Sequence, residues 1–574
     1  MFRKSQNNQG NLFSGISNQV SRRKQELLSD SSSWHQVFYR EVVCRIDEEV
    51  FSVLFCEDNG RPNASIRVLI GMMILKEGNG WSDEQLFDEC RFNLKVLMAL
   101  GYMNIDEDVP SESTYYLFRK LLTAYNEESG LDLIKESFKE ITKEQIRTYK
   151  VSGKKIRLDS KLINSNIALC TRVDLILETI RVFIKRLDLS EAESDLTKEG
   201  YELLLNLQQK TTTNLTYHLS KEDKGFLLQQ LGGVIKVLLN HYEDQPNYEH
   251  LQRVYLDHYK EINKDGQKEG GDKGIDGSDD NRSTPQLKES KEISTSSLQS
   301  IHDPEATYRA KGHGKKKQHI SGYHANLTET CDESNEVNLI VDVDLTKANV
   351  NEDEFLLGAI ASSEELLQSA TEDLVSDERI IEHATTDGGF DSNENRKEMA
   401  ETGMPHWNMR KAKGKKQKFY MYYDDDGNLQ AIYKETGANC KVGRTRKGDK
   451  VAIEIMLDDG KLYRRYYTDE AIENYILLQE IKSNLKEEDK NIRANVESTI
   501  HQTFHRLLKR NKIKYRGEYK CNWYVINRVL WVNFRRILKN TAQNIVYFML
   551  LVLCRIMGHH RAQTQTTQIR LVGN

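Results

Sequence analysis

The polar and apolar positions change period several times along the chain, and the changes mark out its elements. From Trp34 to about Tyr149 the apolar residues recur every three or four positions, as in SIRVLIGMMILKEGNGWSDEQLFDECRFNLKVLMALG, which predicts helices. The Gly78-Asn79-Gly80 break is followed by Ser82, with Gln85 three residues on, a pattern that predicts a capped helix start. Ser111 or Ser113 in VPSESTYYLFRKLL predicts another. A short strand, IRLDS, lies within residues 156–170, and helical spacing returns from Arg172 to about Asn263. Residues 264–300 are Gly/Asp/Ser/Lys-rich and nearly free of apolar side chains, which predicts a disordered linker.

Beyond the linker, residues 301–404 read as two neighbouring strands, a strand-to-helix crossover, and a further strand, IIEHATT, running into a helix. Residues 417–468 switch to period-two alternation around DDG turns, a small antiparallel β insertion. Helical spacing resumes from about Thr468 to Gly558. The pattern predicts an α/β architecture: a mixed sheet with flanking helices, interrupted by a helical insertion and a β insertion, behind an all-helical N-terminal domain. The expected boundaries are a tail at 1–33 and a helical N-terminal domain at 34–150, whose short helices and tight turns suit a DNA-binding module and a plain helical bundle equally. The core is expected at 151–170, 301–404 and 471–560. It is parted by the helical insertion at 171–263, the linker at 264–300 and the β insertion at 405–470, and followed by a tail at 561–574.

Composition narrows the classes. The 574 residues are 38% hydrophobic and 29% charged. The most apolar run, Ile545 to Cys554, is about half of what a bilayer requires and predicts a buried helix, so no membrane is expected. The N-terminus lacks an apolar stretch of signal-peptide length, which predicts a cytoplasmic, nucleoid-associated protein. The eight cysteines form no CxxC pair, which argues against a zinc ribbon or a disulfide framework. No phosphate-binding GxxxxGK[ST] run appears. The net charge is −5, yet from His501 to Leu550 eleven Lys/Arg face the single acid Glu518. Arg410 to Lys418 and Arg444 to Lys450 are further basic runs. Such patches on a near-neutral whole suit a phosphate backbone.

Three acidic residues carry the candidate chemistry. Asp159 follows the strand-like KKIRL, Asp387 follows IIEHATT and precedes Gly388-Gly389, and Glu497 lies in a helical stretch four residues after Arg493. Each alone has an ordinary explanation: an Asp after a strand is most often a turn former, and an Arg–Glu pair at helical spacing is usually surface electrostatics. Together they are the hard oxygen ligands that a pair of Mg²⁺ ions against a phosphodiester would need. His313, His319 and His324 lack zinc partners at the usual spacing.

The ordered set RLDSKLINSNIA, HISGYHANL, LIVDVDLTKANVNEDEFL, TTDGGFDSNEN, RANVESTIHQ and WVNFRRILKN resembles the DDE transposases of bacterial insertion sequences, in the broad IS-four-like and IS-eleven-eighty-two-like groups. The resemblance covers roughly Phe38 to Asn540. It implies a ribonuclease-H-like core, with Asp159, Asp387 and Glu497 as catalytic and metal-binding residues for two Mg²⁺ ions, Mn²⁺ being a substitute. It also implies a homodimer on the terminal inverted repeats of double-stranded DNA, cutting with water and joining the freed 3′-hydroxyl to target DNA. The family's signature around the glutamate is half present: Arg493 and Glu497 fit, but Lys490 stands at the Tyr position and Phe504 at the final Lys position. Expected DNA contacts are Arg493, Lys509, Arg510, Lys512, Lys514, Arg410 and Lys411, with Trp407 as a base-stacking residue. Rival readings are a catalytically inactive DNA-binding protein on the same scaffold and a ribonuclease-H-like nuclease.

Overall fold

The computed structural model describes residues 1–5, 15–56, 61–168, 170–263, 283–312, 314, 317–371, 379–402, 406–409, 417–446, 448–483 and 492–558. The N-terminal helices are Ile66–Asn79 (α1), Asp83–Phe92 (α2), Glu112–Ser129 (α3) and Leu133–Tyr149 (α4). Their starts are set by local chemistry. Ser82 and Gln85 form a reciprocal capping box at the head of α2, and Ser111 caps α3 through the Thr114 amide. α1 is apolar nearly all round, and twelve of its fourteen residues are buried, as such a pattern requires.

The central sheet is built from Lys155–Asn164 (β1), Thr307–Lys311 (β2), Gln318–Thr330 (β3), Ile340–Lys347 (β4), His383–Thr386 (β5) and His406–Met409 (β6). β3 runs antiparallel beside β1, from Ile156 against Thr330 to Asn164 against Gly322. Its other partners are taken in succession: β2 pairs with residues 318–322 and β4 with residues 323–329. On the far side of β1, β5 pairs in parallel, and β6 extends the sheet in parallel beyond it. The crossover into β5 is Leu356–Ala370 (α5), and Asn393–Glu401 (α6) follows it.

Two helices close the core, Ile492–Phe504 (α7) and Glu518–Gly558 (α8). α7 packs across β1 and β5, while α8 packs against β4, α1 and α4. One continuous apolar core results, running from the N-terminal helices through the sheet to Ile537. The centre of this junction is Arg528, fully buried on α8. Its guanidinium donates to the carbonyls of Glu77 (3.0 Å) and Gly78 (2.7 Å) at the end of α1, and of Gln502 (2.5 Å) and Thr503 (2.8 Å) at the end of α7. Carbonyls in the last turn of a helix lack intrahelical partners, so one side chain satisfies two helix ends at once. Gly78 permits the approach: a Cβ there would lie 2.2 Å from the Trp531 ring.

At the start of α8, the Glu518 amide donates to Glu305 Oε2 at 2.6 Å. Burial first, then the Glu305 carboxylate, push the Glu518 carboxyl up from 4.5 to about 7. The unfolded chain therefore ionises first, and stability is lost as pH rises from 4.5 through 7. Glu518→Gln is expected to raise the melting temperature above pH 7, by at most about 3 kcal/mol of stability, and to change little near pH 4.5. Thermal unfolding across that range checks it, and an equal shift at both ends would remove titration as the cause.

The helical insertion has a core of its own. Among the described residues five α-helices lie between Arg172 and His258, packed around Ile176, Leu204, Leu231, Ile235 and Leu251. The expected linker at 264–300 departs from the sequence reading at its C-terminal end; residues 264–282 lie outside the described residues. Ser283–Leu287 forms an antiparallel pair with Tyr259–Asn263, and Leu298 is fully buried. Pro285 sits opposite Glu261 in this two-stranded pair, an edge position of the kind that accepts proline, and a Cβ at Gly232 would lie 3.0 Å from its Cβ. The β insertion comprises Phe419–Tyr423 with Leu429–Tyr433, and a three-stranded sheet of Lys441–Arg444, Val451–Met456 and Leu462–Tyr467. It begins later than expected, because residues 406–409 belong to the central sheet as β6. Gly427 and Gly460 take left-handed conformations in its two DDG turns (φ 77° each).

Candidate active site

Two of the three candidate carboxylates follow a pair of neighbouring parallel strands in the same register. Arg157 of β1 pairs with Thr385 of β5, the last pair along these parallel strands. Two residues further along stand Asp159, within β1, and Asp387, just past the end of β5; continued by two residues, the register would set them side by side with the same side-chain parity. Asp387 ends its strand as the cap of a single turn, its Oδ1 accepting from the Gly389 amide at 2.7 Å. The ordinary Asx-turn role and a place next to the strand of Asp159 therefore coexist at this residue. Gly389 is crowded: a Cβ there would meet the carboxylate of Glu352.

Glu497 lies exposed on α7, the helix laid across β1 and β5. Among the described residues no three His, Cys, Asp or Glu side chains lie close enough together to hold a metal ion. Asp159 and Asp387 thus belong to adjacent strands, and Glu497 to the helix packed on both.

What fixes α7 over the strands is a carboxylate that sequence reasoning missed. Glu329, on β3 opposite Arg157, is completely buried. Arg157 Nε donates to its Oε1 at 2.5 Å, and Arg536 of α8 to its Oε2 at 2.6 Å. The Thr499 hydroxyl lies within 2.9 Å of Oε1 and 2.8 Å of Oε2. Arg157 is two residues before Asp159, and Thr499 two residues after Glu497. One buried anion therefore joins the strand of the first candidate, the helix of the third, and α8. Nothing in NLTETC singles out its glutamate, because the partners lie 170 and 172 residues away.

A second carboxylate, Glu352, lies against the Asp387 turn and accepts a hydrogen bond from Ser160, the residue after Asp159. Burial alone would raise its pKa, but Lys311 at 3.3 Å and the Ser160 bond hold it below the usual carboxylate value. His324 is buried behind it, its Nδ1 on the Val350 carbonyl at 2.9 Å, and burial lowers its pKa to about 4. That is a neutral core histidine.

The expected DNA contacts divide. Lys509 and Arg510 are exposed. Lys512 turns inward to the Ile167 carbonyl, and Lys514 pairs with Glu77 at 3.0 Å, so both ammonium groups are engaged within the fold. Trp407 is only 4% exposed, and its indole N–H donates to Thr386 Oγ1 at 3.0 Å. Packed into the sheet, it offers no free ring face, which corrects the base-stacking expectation. Arg410, Lys411 and the side chain of Arg493 lie outside the described residues.

No described helix is long and apolar enough to cross a membrane. Comparison with curated proteins and with solved structures returned no match. Residues 26–121, the segment that holds α1, α2 and most of α3, match the family model described as Transposase domain (DUF772), a match that supports a transposase.

Proposed function

We propose that the protein is a DDE-type transposase with a ribonuclease-H-like core, which binds the terminal inverted repeats of an insertion sequence as a homodimer and carries out Mg²⁺-dependent strand cleavage and strand transfer. The observation that supports this reading is the parallel register of β1 and β5, which ends at Arg157 and Thr385, two residues before Asp159 and Asp387, with the Glu497 helix packed on both strands. The strand succession supports the core: an antiparallel run of β4, β3 and β1, then β5 and β6 parallel to β1.

The donor chemistry fits Mg²⁺, which takes hard oxygen ligands, keeps several waters, and shares phosphate oxygens with its substrate. Asp159, Asp387 and Glu497 would hold it; when bound it would activate the attacking hydroxyl and stabilise the leaving oxygen. The chain's own part is to set the strands of the two aspartates side by side, to hold the Glu497 helix across them through Glu329, and to bind the DNA.

One observation favours a second reading, a DNA-binding protein without cleavage: among the described residues no group of three His, Cys, Asp or Glu side chains is arranged to hold a metal ion. The test is cleavage and strand transfer on DNA bearing the flanking element ends, with Mg²⁺ or Mn²⁺. Metal-dependent nicking followed by joining supports the transposase. Nicking without joining favours a nuclease, and end binding with neither favours the inactive reading.

A further inference from the structure

Beside Asp159 the surface opens into a cleft of about 460 Å³ that starts at Ser160. Three segments distant in sequence form it: Lys161 and Asn164 of β1, Lys311 and His319 of the β2–β3 hairpin, and Arg510 and Asn511 of the turn after α7. None of the residues lining it is acidic. Lys311 is paired with the Glu352 carboxylate at 3.3 Å.

The turn that carries Arg510 is held in an unfavourable backbone conformation. Arg510 (φ 63°) and Asn511 (φ 54°) are consecutive left-handed residues. Asparagine tolerates this region, whereas an arginine Cβ there crowds the following carbonyl. The turn is sewn to the end of β1: Asn164 Nδ2 donates to the Arg510 carbonyl at 2.9 Å, and the Ile513 amide to the Asn164 carbonyl at 2.9 Å. Glycine would adopt the same conformation without strain, so the arginine side chain is what this position has and glycine lacks. Strain of this kind concentrates at ligand clamps.

We propose that this cleft is a subsite for the sugar–phosphate backbone of the DNA strand passing Asp159, with Lys161, Lys311 and Arg510 as its phosphate ligands. It rests on the proposed transposase reading and adds to it the path of the strand. It also separates Arg510 from Lys512 and Lys514, whose charges serve the fold.

The test measures binding of a duplex oligonucleotide by fluorescence anisotropy over a series of salt concentrations, together with thermal unfolding. Arg510→Gly is expected to keep or raise the melting temperature while weakening DNA binding. The combination of Lys161→Ala, Lys311→Ala and Arg510→Gly is expected to lower the log–log salt slope by about 2 to 3, since each lost phosphate contact removes about 0.9. Lys514→Ala is expected to do the reverse, lowering the melting temperature with the slope unchanged. If the wild type binds DNA and the triple variant keeps its slope, the subsite is overturned and the transposase reading stands. If the wild type binds no DNA at any salt, both fall.

Discussion

Asp387→Asn is expected to abolish cleavage of element-end DNA while leaving end binding and the melting temperature nearly unchanged. The substitution keeps the side chain's shape and its acceptor for the Gly389 amide, so the turn after β5 survives. What it removes is a negative charge at the end of the strand that pairs with the strand of Asp159. Charge stabilisation by a bound metal supplies several kcal/mol in such reactions, and at 1.36 kcal/mol per tenfold its loss slows cleavage about a thousand-fold or more. Asp159→Asn and Glu497→Gln are expected to match it. Single-turnover cleavage against Mg²⁺ concentration, beside gel-shift binding, reads both quantities. Full cleavage by Asp387→Asn would remove it from the site, and lost binding with a lowered melting temperature would leave only its role in the turn.

Glu329→Ala is expected to destabilise the fold by about 3–5 kcal/mol, because it leaves buried arginine charge without its partner. Arg157 loses its 2.5 Å ion pair with Glu329, and Arg536 retains the Asn338 carbonyl at 3.0 Å and the Thr499 hydroxyl. Denaturant unfolding measures the change. Thr499→Val isolates the connection to α7, since it keeps the side chain's volume and both charges while deleting the hydroxyl that meets Glu329. Its expected result is a small loss of stability with a raised Mg²⁺ requirement for cleavage. An unchanged Mg²⁺ requirement would make Glu329 a matter of stability alone.

Local chemistry made much of this fold legible. The capping box at Ser82, the cap at Ser111 and the two DDG turns are decided by residues within one turn of one another, and all occur where the sequence places them. The strand end before Asp387 was likewise marked by an apolar run meeting polar residues, but the expected end at Asp159 was not: β1 continues through it to Asn164 because β3 pairs along the whole length. What the sequence could not carry is pairing. That the strands carrying or preceding the two aspartates lie side by side depends on a parallel register between segments more than two hundred residues apart. HWNM looks like the start of an insertion because a four-residue edge strand has no periodicity to display; its pairing with β5 makes it sheet and buries Trp407. Lysines pose the same difficulty. Lys512 and Arg510 are equivalent in a charge count, but one ammonium is spent on a carbonyl and the other cation faces a cleft.

Arg528 also bears on how the chain is made. The carbonyls it satisfies at the end of α1 lie 450 and 451 residues earlier. While a ribosome is still translating the sheet and both insertions, α1 has an apolar surface on every side and no α8 to cover it. Contacts of such sequence separation form late, and their exposed precursors are prone to aggregate. The matched transposase segment is thus completed only by the last helix, so a chain interrupted before α8 carries the aspartate pair without the scaffold that sets it. Newly made protein would then depend on chaperones until synthesis has passed Arg528, and folding, as much as DNA, would govern how many molecules become competent.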